Sequence, residues 1–112
     1  MTGDGPPAES SGEIRARVVA AKERQHERFR QDGIYANAAM TPRLIRRYCR
    51  IDKECERMLE QAMTRLGLSA RAYDRILKVS RTIADLDGSE EIRPQDVAEA
   101  VGYRSLDRTY WT

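Results

Sequence analysis

Residues 66–86 read LGLSARAYDRILKVSRTIADL, and this stretch decides the fold. Gly67 can end one helix in the left-handed conformation, where a residue without Cβ is unstrained. Ser69 can open the next by accepting a backbone N–H two or three residues on. From Ala70 the pattern is helical. At about 100° per residue, Ala72, Tyr73, Ile76, Leu77, Val79, Ser80, Ile83, Ala84 and Leu86 share one broad arc. Arg71, Arg75 and Lys78 fall on the other side, within about 60° of one another. A helix with so wide an apolar arc touches several neighbours, so this segment is predicted to be central. Its three cations near a capped N-terminus also make it a candidate for presenting positive charge to an anion.

Working towards the N-terminus, Cys55, Met58, Leu59, Ala62, Met63 and Leu66 form a helical stripe that Asp52 can cap and Gly67 can close. Thr41-Pro42 starts a shorter helix, with a cap hydroxyl followed by a proline whose missing N–H costs nothing there. Its inward residues are Leu44, Ile45 and Tyr48. Gln31–Met40 reads as a loop, anchored by Ile34, Tyr35 and Met40. A helix from Gly12 to Arg30, capped by Ser11, carries only a narrow stripe of Ile14, Val18, Ala21 and Phe29, interrupted by Gln25. Like charges at i,i+4, such as Glu23–Glu27 and Arg24–Arg28, oppose it in isolation, so it must borrow stability from packing along one seam.

Towards the C-terminus, Asp87-Gly88-Ser89 is a turn. Pro94 begins a last helix with Val97, Ala98 and Val101 inward and Gly102 at its end, and Tyr103, Leu106, Tyr110 and Trp111 are possible anchors of a tail. The expected architecture is all-α, a small bundle of four to five helices. Residues 1–11, MTGDGPPAESS, read as a disordered linker, 12–108 as a single helical domain, and 109–112 as a tail.

The 112 residues allow one domain at most. With 40% hydrophobic content the core is modest, and 34% charged residues make an ion-dense surface. A net charge of +2 is too mild to argue for nucleic acid by itself. No apolar run is long enough to span a membrane, and the N-terminus has no hydrophobic signal region. Cys49 and Cys55 are expected to be reduced, partly buried thiols of a cytoplasmic chain rather than a disulfide. With His26 they fall short of the four convergent ligands of a zinc site, so no metal site is expected. No catalytic set is visible either. There is no GxxxxGK[ST] loop to cradle phosphate and no spacing that supports a nucleophile–histidine pair, so this stretch is not expected to be an enzyme by itself.

The cation face is therefore the sharpest feature. Its plain interpretation is a solvated helix face, with Asp74–Lys78 and Arg81–Asp85 as acid–base pairs at i,i+4. Its functional interpretation centres on Arg71, the second helical residue, where an arginine can offer a phosphate two parallel N–H bonds.

Four stretches carry a family likeness: ESSGEIRARVVAAKERQ at 9–25, NAAMTPRLIRRYC at 37–49, LGLSARAYDRILKVSRTIADLDG at 66–88 and EAVGYRSLDR at 99–108. Together they resemble the C-terminal domain of the magnesium-chelatase-related AAA+ ATPases, the ComM/YifB-like competence proteins. Ser80 stands where that family would have alanine, and Gln95-Asp96 where a histidine-containing pair is common. The resemblance implies a helical lid following an upstream AAA+ core that supplies the Walker motifs. It implies that Arg71 is the sensor-2 arginine contacting the nucleotide's γ-phosphate, with Arg75 and Lys78 as secondary phosphate or subunit contacts. ATP and Mg²⁺ would be cofactors of the full-length protein, an ATPase, and neither would be held tightly by this stretch. The whole would be a cytoplasmic homo-hexameric motor acting on DNA, in branch migration and recombination, whereas the isolated domain would be monomeric. The alternative is a stand-alone helical DNA-binding module, in which the basic helix and the Thr41-Pro42 helix act as a helix-turn-helix-like reader.

Overall fold

The computed structural model of the protein describes residues 10–106. The expected linker up to residue 9 and the tail anchors Tyr110 and Trp111 lie outside the described residues, as does the side chain of Leu106. Five helices follow one another: α1 Ser11–Arg28, α2 Pro42–Tyr48, α3 Lys53–Leu66, α4 Ala70–Leu86 and α5 Pro94–Leu106. A single 3₁₀ turn, Asn37–Ala39, breaks the loop between α1 and α2. The described residues contain no strand, and none of their helices is long and apolar enough to cross a membrane.

Local chemistry sets most of the boundaries. Thr41 Oγ1 accepts from Leu44 N at 3.4 Å, Asp52 Oδ1 from Cys55 N at 2.8 Å and Ser69 Oγ from Ala72 N at 3.3 Å. Each side chain satisfies a first-turn donor that the helix leaves free. Gly67 sits at φ 63°, ψ 43°, and lets the chain reverse between α3 and α4. Three expected boundaries move, and one is the end of α1, which stops at Arg28 instead of Arg30. Ser10, not Ser11, caps α1, in a reciprocal box with Glu13, so the helix starts one residue earlier. α5 runs through Gly102, whose φ is not positive, instead of stopping there.

α4 is the hub, with α1, α2, α5 and the Asn37–Ala39 turn packed on it, while α3 packs on α5. The core gathers Phe29, Met40, Leu44, Ile45, Cys49, Cys55, Leu59, Ile76, Leu77, Ile83, Ile92, Val97 and Ala100. Phe29 meets Tyr48 edge-on at 5.3 Å. Both cysteines are free and buried. Burial pushes the Cys49 thiol up to about 11 and the Cys55 thiol to about 12.

Some expected inward residues face out. Tyr35 is 76% exposed and lies near His26 instead of anchoring its loop. Leu66 and Ala98 are exposed, and Ala100 takes the inward place on α5. In α1, Ile14 and Val18 are exposed, whereas Gln25 points in and its Oε1 accepts from Asn37 N at 2.9 Å. The first ten residues of α1 are all exposed, so only its second half meets the core.

Candidate functional site

The three cations expected on one face of α4 do not stay together in one environment. Arg71, in the first turn, is exposed and has no ion-pair or hydrogen-bond partner among the described residues. One turn on, Arg75 is half-buried, and its Nη1 is enclosed without an acceptor. Such a donor costs about 1–3 kcal/mol until something supplies an oxygen. Lys78 is tied down, since its Nζ donates to the Ala38 carbonyl at 3.1 Å instead of pairing with Asp74.

Arg75 and Lys78 line an open groove of about 650 Å³ between α4, α1, α5 and the Asn37–Ala39 turn, and Arg71 does not. The groove's apolar floor is Val79, Ile83 and Leu86. Its acids are engaged. Asp87 pairs with Arg93 at 2.7 Å and Arg17 at 3.5 Å, while Glu99 accepts from the Tyr103 hydroxyl at 2.7 Å and thereby raises that phenol's pKa. The groove thus offers an apolar floor with two cations on one wall. The described residues hold no cluster of three His, Cys, Asp or Glu that could bind a metal.

What holds α4 in this orientation is a buried ion cluster. Asp85, 1% exposed, accepts from Arg28 Nη2 at 2.6 Å, Arg28 Nη1 at 2.9 Å and Asn37 Nδ2 at 2.9 Å, and pairs with Arg81 at 3.1 Å. Burial by itself would raise the Asp85 carboxyl, but the hydrogen bonds from Arg28 and Asn37 outweigh it and hold the group below its ordinary value. Arg81, 4% exposed, donates to the Ser89 and Glu90 carbonyls at 2.7 and 2.9 Å, and burial lowers its pKa against the pull of Asp85. The Arg81–Asp85 pair expected on the surface is therefore interior. The buried arc of α4 is rotated towards it, which leaves Val79 and Leu86 half-exposed in the groove. Sequence reasoning missed Arg28, Asn37 and Gln25 as partners because they come from α1 and the following loop. The available signal was an acid–base pair at the very edge of the apolar arc.

Residues 8–104 match the family described as magnesium chelatase, subunit ChlI C-terminal. The chain belongs to this family. Among its relatives, the uncharacterised protein YifB of Escherichia coli (strain K12) is 45% identical over 102 residues, covering 91% of this chain and 19% of that protein. The competence protein ComM of Haemophilus influenzae is 43% identical over 104 residues, covering 93% of this chain and 20% of that protein. The uncharacterised protein Rv2897c of Mycobacterium tuberculosis is 35% identical over 96 residues, covering 86% and 19%. The chain therefore spans about a fifth of the length of these relatives. No solved structure matches it.

Proposed function

We propose that this magnesium-chelatase C-terminal domain is the helical lid of an AAA+ ATPase, and that Arg71 is its nucleotide sensor. The observation that carries this is the contrast along α4. Lys78 is spent on a carbonyl and Arg75 is half enclosed, whereas Arg71 stands exposed and unpartnered at the end where the helix dipole already favours an anion. A guanidinium held there binds a terminal phosphate through two parallel N–H bonds and loses them when that phosphate leaves. That difference in affinity moves the lid against its core, since only a differential interaction shifts a conformational equilibrium. Arg75, with its unsatisfied Nη1, is the secondary contact to phosphate or to a neighbouring subunit. The longer protein, six copies in a ring on this reading, turns lid movement into work on DNA.

The test is Arg71→Ala and Arg71→Lys in the longer protein that carries this domain. Losing a charge-assisted contact of about 1.5–3 kcal/mol lowers ATP turnover by roughly tenfold to a hundredfold. Lysine should not restore it, because the planar fork is lost. Unchanged turnover in Arg71→Ala removes the assignment, and loss in Arg75→Ala alone transfers it to the groove.

A further inference from the structure

A second one-sided run of charge lies outside α4. From Gly33 to Ile51 the chain contains four arginines and no carboxylate. Arg43, Arg46 and Arg47 fall within about 100° of the α2 circumference, and Arg50 follows two residues beyond the helix end. All four are exposed, while Leu44, Ile45 and Cys49 between them are buried. None has a carboxylate partner among the described residues.

Three nearby acids are occupied. Asp32 accepts from the Tyr48 hydroxyl at 2.7 Å, Asp52 caps α3, and Glu27 pairs with Arg30 at 2.6 Å. Arg47 lies over the Tyr48 ring at 5.4 Å, which fixes its plane without neutralising it. Arg47 and Arg50 also border a cleft of about 570 Å³ whose wall is lined besides by Arg28 and Arg81 and by the carboxylates of Asp52, Glu90 and Glu91. The buried cluster behind that wall sets two guanidiniums against one carboxylate, so it adds positive potential.

Helix stability does not account for this face. Cations near a helix C-terminus gain about 0.3–1 kcal/mol each from the dipole, which suits Arg46 and Arg47. Arg43 follows Pro42 in the first turn, where the same dipole opposes it.

We infer that the arginine face of α2 is a docking surface for the phosphate backbone of nucleic acid, bound without regard to sequence. Along α2, Arg43 to Arg47 span about 6 Å, close to two nucleotide steps of a duplex strand at about 3.4 Å each, and Arg50 follows at the helix exit. An acidic protein fits less well. The face has no exposed large apolar side chain to form the dry centre of a protein interface, whereas nucleic-acid interfaces are polar and strongly cationic. Charge and geometry of α2 alone carry this, independently of the nucleotide role of Arg71, so the two stand or fall separately.

The experiment is fluorescence anisotropy of the 112-residue chain with a labelled random-sequence duplex at rising salt. Four phosphate contacts give a log–log salt slope of about −3.6, and hence about a hundredfold loss of affinity between roughly 50 and 200 mM salt. Each of Arg43→Ala, Arg46→Ala, Arg47→Ala and Arg50→Ala should reduce the slope by about 1. Arg47→Lys should keep the slope, and Arg65→Ala on α3 should leave binding unchanged. Thermal melting of each variant reports folding, and because the charge-keeping variant shares the site, a folding defect cannot pass for lost contact. The inference is overturned if the chain fails to bind at low salt, if the alanine variants bind like the parent, or if poly-glutamate competes as well as unlabelled duplex.

Discussion

Replacing Asp85 by alanine should unfold a large share of this domain's stability, and the structure sets the size. The Asp85 side chain is fully enclosed and receives Arg28 through two nitrogens, Asn37 through one and Arg81 through one. Removing one partner of a buried pair costs about 3–5 kcal/mol, because the opposite charge stays buried without compensation. Here the lower end applies. Arg28 Nη1 keeps Asn37 Oδ1 at 2.9 Å, and Arg81 keeps the two carbonyls of the α4–α5 turn. About 3 kcal/mol is a large fraction of the roughly 5–15 kcal/mol of a typical domain. Urea unfolding of the 112-residue chain, followed by helical circular dichroism at neutral pH, measures it as a lower midpoint at unchanged slope. Asp85→Asn should cost nearly as much, since its amide turns a donor towards two guanidiniums. The pH dependence supplies an independent check. The folded carboxyl titrates below its unfolded value of about 3.9, so its contribution is complete above that pH and is lost as the pH falls through the folded value. The stability difference between parent and Asp85→Ala should therefore shrink on acidification. A loss under about 1 kcal/mol at neutral pH, or a difference that does not change in acid, refutes the view that this cluster locks α4 in place.

Two further outcomes follow from local geometry. Cys49 and Cys55, buried and with thiols pushed up to about 11 and 12, should react with a disulfide reagent at mild alkaline pH only as fast as the domain opens. Prompt native-state labelling would contradict their enclosure. Gly67→Ala should cost about 1–2 kcal/mol purely as left-handed backbone strain, because a Cβ built there meets nothing within 4 Å. Gly67→Asn should cost less, and chemical denaturation of the two variants gives the comparison.

Helix identity was legible because it depends on near neighbours. Gly67, Ser69, Thr41-Pro42 and Asp52 act within one turn of themselves, and each does at its position what its side chain dictates. Side-chain direction was less legible wherever a polar residue could be satisfied from a distance. Gln25 looked like a break in the α1 stripe, yet it is buried because Asn37 donates to it from twelve residues away. The candidate site divides in the same way. Arg71, Arg75 and Lys78 share one face by periodicity, but a carbonyl from another element claims Lys78, the groove wall encloses Arg75, and Arg71 alone stays open.

The sequence by itself determined the helical segments and the caps Thr41, Asp52 and Ser69, because backbone hydrogen bonding and a repeat of about 3.6 residues are properties of contiguous chain. Only the tertiary structure decided which edge of α4 turns inward. Apolar burial alone favours the Val79–Leu86 edge. The arrival of Arg28 and Asn37 around Asp85 makes the charged edge the satisfied one, and a buried charge that finds partners outweighs the exposure of two aliphatic side chains in a groove.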